Sequence, residues 1–493
     1  MRSSKGGLTL RQLVAALAPP GMALAMPAVP EIEFHSAVID SRLARPGALF
    51  IALPGERRHG QEFVADAFAQ GAVTAITDSA PSEGSCNRLD LTGDAGTEID
   101  RDWGLPLCLV VPDSLKALQQ AAAYWRRQHS PRVVGITGSV GKTTSKEIVA
   151  AVLAQEYNVL KSEGNYNNEI GLPLTLLHLT SKHQHVVLEM GMYDVGEITE
   201  LAQIALPHVG VVTDVGPVHL ERLGTIERIT QAKSELPRAL PQASDGGVAI
   251  LNTDDHRVRA MARETRAQVF TYGLSPEADL RASHIESDGL DGIHFRLHYQ
   301  GETLHARVPL LGRHSVHTAL RGTAVGLVEG MAWAEIMAGL RDQSAQLRLV
   351  AVPGPHGSII LDDTYNASPA SCTAALNLLN ELGPPRNDGR KIAVLGDMYE
   401  LGSYEEEGHR VVGRRAREVA DILITVGQLG RVMGEGALSA GMPADRVFML
   451  DTKGPTVELL HQLVQPGDLV LIKGSRGMEM EEIVVALQKE EVR

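Results

Sequence analysis

The ten residues GITGSVGKTT (135–144) combine types and spacings suited to holding phosphate. An apolar run over 132–137 leads into a glycine-rich turn, and a helical pattern over 144–157 leaves it. Backbone N–H groups in such a turn point inward, toward phosphate oxygens, at the positive end of the following helix. Gly138 and Gly141 allow close approach because they carry no Cβ, and Ser139, Val140 and Thr144 complete the cradle. Lys142 supplies positive charge to β- and γ-phosphates, and the Thr143 hydroxyl can ligate Mg²⁺. Ile136 stands where the strict G-x-x-x-x-G-K-[ST] pattern has glycine. The alternative is an ordinary glycine-rich strand–helix turn, but GKTT after an apolar strand favours binding of a nucleoside triphosphate.

Other residues have types suited to the same chemistry but weaker local signals. Glu189 ends the apolar run HVVLE (185–189). A carboxylate at the C-terminal edge of such a strand faces the ligand crevice of an α/β sheet; a solvated, loop-facing glutamate is the equal alternative. His219 closes VGPVH (215–219), just after the run over 209–213, where a lone histidine more often has a structural role. Lys233 lies in QAKSE (231–235) on a helical segment, where a lysine taken alone is a solvated surface residue.

These groups need a scaffold, and strand-like apolar runs alternate with helical patterns along the whole chain, as in α/β proteins. Runs at 48–53, 71–77 and 107–111 predict strands, 61–70 a helix, 79–105 a surface loop, and Ser114 the cap of a helix ending near 129. A second unit opens with the run at 132–137 and continues with strands at 185–189, 209–213 and 247–251, alternating residues over 272–309 as in an antiparallel hairpin, and a helix over 314–329. Residues 343–346 lack apolar periodicity and form an expected linker and hinge. Strands at 358–361, 391–395, 422–426 and 468–472 with intervening helices predict a doubly wound, mostly parallel sheet.

The 493 residues suggest about three domains. With 46 Lys and Arg against 60 Asp and Glu, the net charge is −14, and only 4% of residues are aromatic, which together argue against a nucleic-acid or anionic-membrane partner. No apolar run approaches the ~20 residues of a membrane helix, so no membrane insertion is expected. Cys86, Cys108 and Cys372 are dispersed and form no CxxC, which predicts neither a disulfide framework nor a zinc site and fits a reducing cytoplasm. The apolar stretch 13–30 could be misread as a signal peptide, but Thr9 followed by RQLVAALA reads as a capped helix, so a cytoplasmic enzyme without an export signal is expected.

Taken together, these and further segments resemble the Mur ligase family of bacterial cell-wall synthesis over nearly the whole chain. The matching motifs include DSRLARPGALFIALPGER (40–57), GITGSVGKTTSKE (135–147), EGNYNNEIGLPLTLL (163–177), VGPVHLERLG (215–224), AKSEL (232–236), LNTDD (251–255), DDTYNASP (362–369), LGDMYELG (395–402) and KGSRGMEME (473–481). GNYNNEIGLP, DTYNASP and LGDMYELG point to the branch that extends a UDP-N-acetylmuramoyl-tripeptide with D-alanyl-D-alanine.

The resemblance implies three α/β domains: a UDP-muramoyl substrate-binding domain over 1–112, a central P-loop ATP-binding domain over 113–345 and a C-terminal Rossmann-like domain over 346–493. It implies an ATP-dependent amide-forming ligase, in which ATP activates a carboxylate as an acyl phosphate, the dipeptide amine attacks it, and pentapeptide, ADP and phosphate leave. A carboxylate is a poor electrophile, so activation is needed, and cations must offset repulsion between it and ATP. In a chain this acidic that attraction must be local, from Lys142, Arg348 and Mg²⁺.

By the same resemblance Thr143 and Glu189 bind a first Mg²⁺, His219 helps bind a second, and Lys233 matches a lysine that the family carbamylates, turning a cation into an anionic ligand. Asp363 touches the nucleotide ribose, Arg348 faces its phosphates, and Asn252 with Asp255 lies near adenine. Ser41 and Arg42 belong to the uridine-nucleotide motif, Asn167 and Asn168 lie near the muramoyl substrate, and Lys473, Ser475 and Arg476 shape the acceptor side. A monomer is expected.

The chain departs from the family pattern at four places. HSVHT (314–318) replaces HNxxN, so both amides that line the adenine pocket are absent; Asp214 and Ser368 stand where asparagine is common; and HGQEF (59–63) replaces DGHxF. The rival readings are another Mur-type amino-acid ligase, a P-loop switch without amide chemistry, and a non-catalytic scaffold. A switch would not need the first domain or the segments around Lys233 and His219.

Overall fold

The computed structural model describes residues 6–19, 29–55, 58–79, 86–93, 104–218, 220–342, 349–386 and 388–488. The expected linker at 343–346, His219 and Arg348 lie outside the described residues. Packing divides the chain into two compact units: 1–135 with 157–191 and 197–209, and 136–156 with 192–196 and 210–493.

In the first unit, the strands β1 (Ser36–Val38), β2 (Ala48–Ile51), β3 (Ala72–Thr77), β4 (Asn87–Asp90) and β5 (Leu107–Val110) form a sheet in the order β1-β2-β3-β5-β4. All of its neighbours run parallel. β2 is buried at every position, as its unbroken apolar run predicts for a covered parallel strand. β4 corrects the expected loop over 79–105: NRLD lacks an apolar run because it is an edge strand, buried only at Leu89. The first helix, Leu10–Leu17, has the expected Thr9 cap, closed by a reciprocal bond with Gln12. Asp113, rather than the expected Ser114, caps the helix Ser114–Arg127, because its carboxylate reaches the Lys116 N–H. Cys86 and Cys108, distant in sequence, are free thiols whose sulfurs lie 2.7 Å apart. β6 (Arg132–Thr137) spans the boundary between the units, while β7 (Val159–Lys161) pairs parallel with β8 (His185–Glu189) in the first.

In the second unit, β9 (Val209–Val212), β10 (Val248–Asn252), β11 (Gln268–Gly273), β12 (Leu280–Ser287), β13 (Ile293–Tyr299) and β14 (Glu302–Val308) follow in sequence order. β10 to β12 pair parallel and β12 to β14 antiparallel, so the alternating stretch is a three-stranded meander. The last sheet contains β15 (Val350–Pro353), β16 (Ile359–Asp363), β17 (Lys391–Gly396), β18 (Ile422–Val426), β19 (Val447–Leu450) and β20 (Leu469–Lys473), ordered β15-β16-β20-β17-β18-β19. It is parallel except for the edge strand β15, as the doubly wound reading requires. Its two faces carry separate apolar cores, one around Leu376, Leu379 and Met433 and the other around Ile392, Leu460 and Ile483. The edge strands β15 (VAVP) and β19 (VFML) went unpredicted because each is an apolar run of only four residues, which pattern alone does not distinguish from a helix segment. Among the described residues no helix is long and apolar enough to cross a membrane.

Candidate active site

In the second unit the chain leaves β6 at Thr137, turns, and enters the helix Lys142–Leu153. Gly141 caps that helix in the left-handed region, at φ +79°. A Cβ on Gly138 (φ +146°) would lie 1.8 Å from Thr213 Oγ1, so the predicted need for glycine arises from a second chain segment. That segment, 213–216, clamps the loop. Ser139 and Val140 donate their backbone N–H groups to Asp214 Oδ1 at 3.0 and 2.8 Å. Thr213 Oγ1 lies 2.7 Å from Val140 O and 2.8 Å from Asp214 Oδ1, so its single proton is shared between the two acceptors. Ser139 Oγ accepts from Gly216 N–H at 2.8 Å and donates to Gly216 O at 3.1 Å. Lys142 curls back over the turn and donates to Gly138 O at 2.9 Å, which holds its ammonium at the loop. Asp214 is thus an organiser of the phosphate loop; the sequence marked it only as standing where asparagine is common in the family pattern.

Lys233 reverses the reading of an isolated helix lysine. It lies on the helix Ile226–Ala239, whose buried face includes Ile229, Ala232 and Leu236, and it is itself only 2% exposed. Burial lowers its pKa well below the ordinary lysine value, the charge of Lys142 lowers it further, and Asp214 opposes both. Lys233 is therefore electrostatically coupled to the phosphate loop.

Asn252 and Asp255 meet the same segment from β10. Asn252 Nδ2 donates to Thr213 O and its Oδ1 accepts from Asp254 N–H, both at 3.0 Å, so this buried amide ties two strand ends together. Asp255 accepts from Val215 N–H at 2.7 Å and caps the helix His256–Ala260. The segment HSVHT forms a 3₁₀ turn, Arg313–Ser315, running into the helix Val316–Val328. There His317 Nε2 lies 2.8 Å from Asp254 Oδ2, and Ser315 Oγ donates to Leu311 O at 2.6 Å.

At the C-terminal ends of the adjacent strands β16 and β20, Asp363 and Lys473 are register partners and form an ion pair at 2.7 Å. Lys473, 2% exposed, also donates to Asn366 O at 2.8 Å. Ser475 Oγ accepts from Tyr399 N–H at 2.9 Å, and Arg476 pairs with Glu481 at 2.7 Å while lying 5.8 Å from the Tyr365 ring centroid. Burial lowers the pKa of His314 at the start of the Val316 helix, against the opposing charges of Glu381 and Asp363.

In the first unit, Glu189 is 1% exposed, so it is not the solvated alternative. Its Oε1 accepts from Asn167 Nδ2 at 2.8 Å, and Asn167 O accepts from Gly191 N–H at 2.8 Å. Asn168 Oδ1 accepts from Gly171 N–H at 3.0 Å at the start of the helix Gly171–Leu177. Ser41 is buried, while Arg42 is exposed and chelated by Asp40 at 2.6 Å. HGQEF is a 3₁₀ turn, Gly60–Phe63, capped by His59.

Comparison with known proteins bears on the family and the fold. Residues 33–92 match the catalytic domain of the Mur ligase family, 136–326 the Mur ligase middle domain, and 347–476 the Mur ligase glutamate ligase domain. The chain is 35% identical to the UDP-N-acetylmuramoyl-tripeptide–D-alanyl-D-alanine ligase of Bacillus subtilis, over 94% of each chain. It is 33% identical to the enzyme of the same name from Escherichia coli, over 93% of this chain and 95% of that one. A crystal structure of MurF from Acinetobacter baumannii superimposes with a TM-score of 0.81 at 31% identity, covering 99% of this chain and all of the other. A MurF ligase from Thermotoga maritima, solved in complex with ADP, gives 0.74 at 26% identity, covering 92% and 97%. A phosphate loop braced by a second strand end, a buried lysine coupled to it, and sequence and fold shared across nearly the full length lead to one conclusion: this chain belongs to the Mur ligase family.

Proposed function

We propose that this chain joins D-alanyl-D-alanine to UDP-N-acetylmuramoyl-tripeptide, using ATP to activate the tripeptide carboxylate as an acyl phosphate. The observation that carries the reading is the clamped phosphate loop with its coupled, buried Lys233, in a chain that matches the ligases of this name almost end to end. The loop N–H groups and Lys142 hold the nucleotide phosphates and offset their charge as the carboxylate approaches. Asp363 orients the ribose while Lys473 fixes its carboxylate through their ion pair. Ser475 and Arg476 line the acceptor side, Ser41 and Arg42 take the uridine nucleotide, and Asn167 and Asn168 lie toward the muramoyl portion. Holding amine and acyl phosphate together supplies the rate advantage of proximity.

Among the described residues no cluster of three or more His, Cys, Asp or Glu side chains forms a metal cage. That fits magnesium, which takes few protein oxygens and relies on water and substrate phosphates. The oxygen donors offered are the Thr143 hydroxyl and, in the first unit, the buried Glu189 carboxylate. When bound, Mg²⁺ would neutralise charge developing on the transferred phosphoryl group. The lowered pKa of Lys233 favours the neutral amine, the form that adds CO₂, and the resulting carbamate would supply anionic oxygens. The domains proposed are 1–112, 113–345 and 346–493, in a monomer working in the bacterial cytoplasm.

The test is turnover of ATP with product mass spectrometry. ADP release should require both UDP-muramoyl-tripeptide and D-alanyl-D-alanine and should match pentapeptide formed. Equal phosphate release without the dipeptide, and no pentapeptide, would refute the reading.

A further inference from the structure

One buried cation near the phosphate loop has no assigned task. Arg321, on the helix Val316–Val328, is 7% exposed. Its Nε donates to His317 O at 2.9 Å, and its Nη1 donates to Ser145 Oγ and to Gly141 O, the latter at 3.3 Å. A Cβ built on Gly141 would lie 2.9 Å from Nη1, so the guanidinium packs directly against the turn that starts the Lys142 helix. Among the described residues no carboxylate pairs with it, and its hydrogen-bond partners are two carbonyls and a hydroxyl.

This placement is unfavourable for the protein alone. Buried charges ordinarily have a partner of opposite sign. Here the nearest formal structure is the N-terminus of a helix, which carries partial positive charge, and Lys142 opens that same helix. A buried cation packed against the first turn of that helix becomes favourable when a polyanion binds at the turn. The helix that carries it starts within HSVHT (314–318), and Arg321 stands one turn beyond Thr318.

We propose that Arg321 is a second cation for the nucleotide phosphates, acting beside Lys142. The inference rests on the nucleotide binding proposed above. The guanidinium is aimed by His317 O, Ser145 Oγ and Gly141 O, and its role is to attract and position a nucleoside di- or triphosphate.

The test uses the full chain, ADP titration calorimetry and thermal denaturation without nucleotide, on the parent, R321Q and R321K. R321Q should weaken ADP at least tenfold, R321K should recover affinity to within about threefold of the parent, and the nucleotide-free midpoint of R321Q should equal or exceed the parent's. The dependence of ADP affinity on KCl should also be shallower in R321Q, because one charge contact is gone. ADP affinity within twofold of the parent in R321Q would overturn the proposal. So would a lowered nucleotide-free midpoint with no rescue by lysine, which would make Arg321 a structural brace. Failure of the parent itself to bind ADP would overturn both this inference and the proposed function, whereas parental binding with an indifferent R321Q removes only the inference.

Discussion

Placing a methyl group on Gly138 tests whether the phosphate loop depends on its clamp. The new Cβ would sit 1.8 Å from Thr213 Oγ1, 2.9 Å from Thr213 Cβ and 3.1 Å from Thr213 N. Thr213 cannot rotate away freely, since its hydroxyl proton is shared between Val140 O and Asp214 Oδ1 and its N–H donates to Thr137 O at 2.9 Å. Displacing the hydroxyl forfeits its one donated hydrogen bond, shared between those acceptors, at about 1 kcal/mol. Alanine in a glycine backbone region adds roughly 1–2 kcal/mol. The sum, about 2–3 kcal/mol, must be met by the bound loop or avoided by opening it. At 1.4 kcal/mol per factor of ten, ADP should bind G138A on the order of a hundredfold more weakly. Titration calorimetry reads this directly. In G138A/T213A the closest contact is gone while the 2.9 Å contact remains, so affinity should recover only in part. G138A binding ADP within about threefold of the parent would refute the clamp as the reason for glycine.

Lys233→Ala should lower ligase activity by more than about a hundredfold while ADP binding persists, and added short carboxylic acids should restore part of the activity; parental turnover in this variant would remove Lys233 from the reaction. For pH dependence, burial pushes Asp254 upward, but bonds from His317 and from the Leu274 and Ser275 N–H groups outweigh it and leave the carboxyl below its ordinary value. A depressed carboxylate contributes stability that is fully present above its unfolded pKa of about 3.9 and is lost as pH falls through the folded value. The stability difference between the parent and D254N, measured by urea unfolding, should therefore shrink below about pH 4. A gap constant from pH 6 to pH 3 would contradict this.

What was legible in the sequence was local. Strand, turn and helix are contiguous over 132–153, so the loop could be read directly, as could the α/β alternation and the motifs that define the family. Short edge strands escaped for two reasons: β4 (NRLD) lacks an apolar run, while β15 (VAVP) and β19 (VFML) are apolar but too short for pattern alone to assign. Asn252 was read as lying near adenine from its motif alone; that its Nδ2 donates to Thr213 O and its Oδ1 accepts from Asp254 N–H was not legible, because the first contact joins strand ends 39 residues apart.

The sequence by itself determined that the chain binds nucleotide phosphates, because glycines, lysine and hydroxyls at fixed spacing can shape a phosphate cradle without any distant partner, and the family motifs carried the ligase reading. The tertiary structure decided which side chains serve it. Asp214 reaches loop amides 74 and 75 residues away, Arg321 reaches Gly141 across 180 residues, and burial converts Lys233 from a solvated cation into a perturbed amine. Charge and pKa depend on neighbours and on the exclusion of water, and parallel strand packing brings those neighbours from remote parts of the chain.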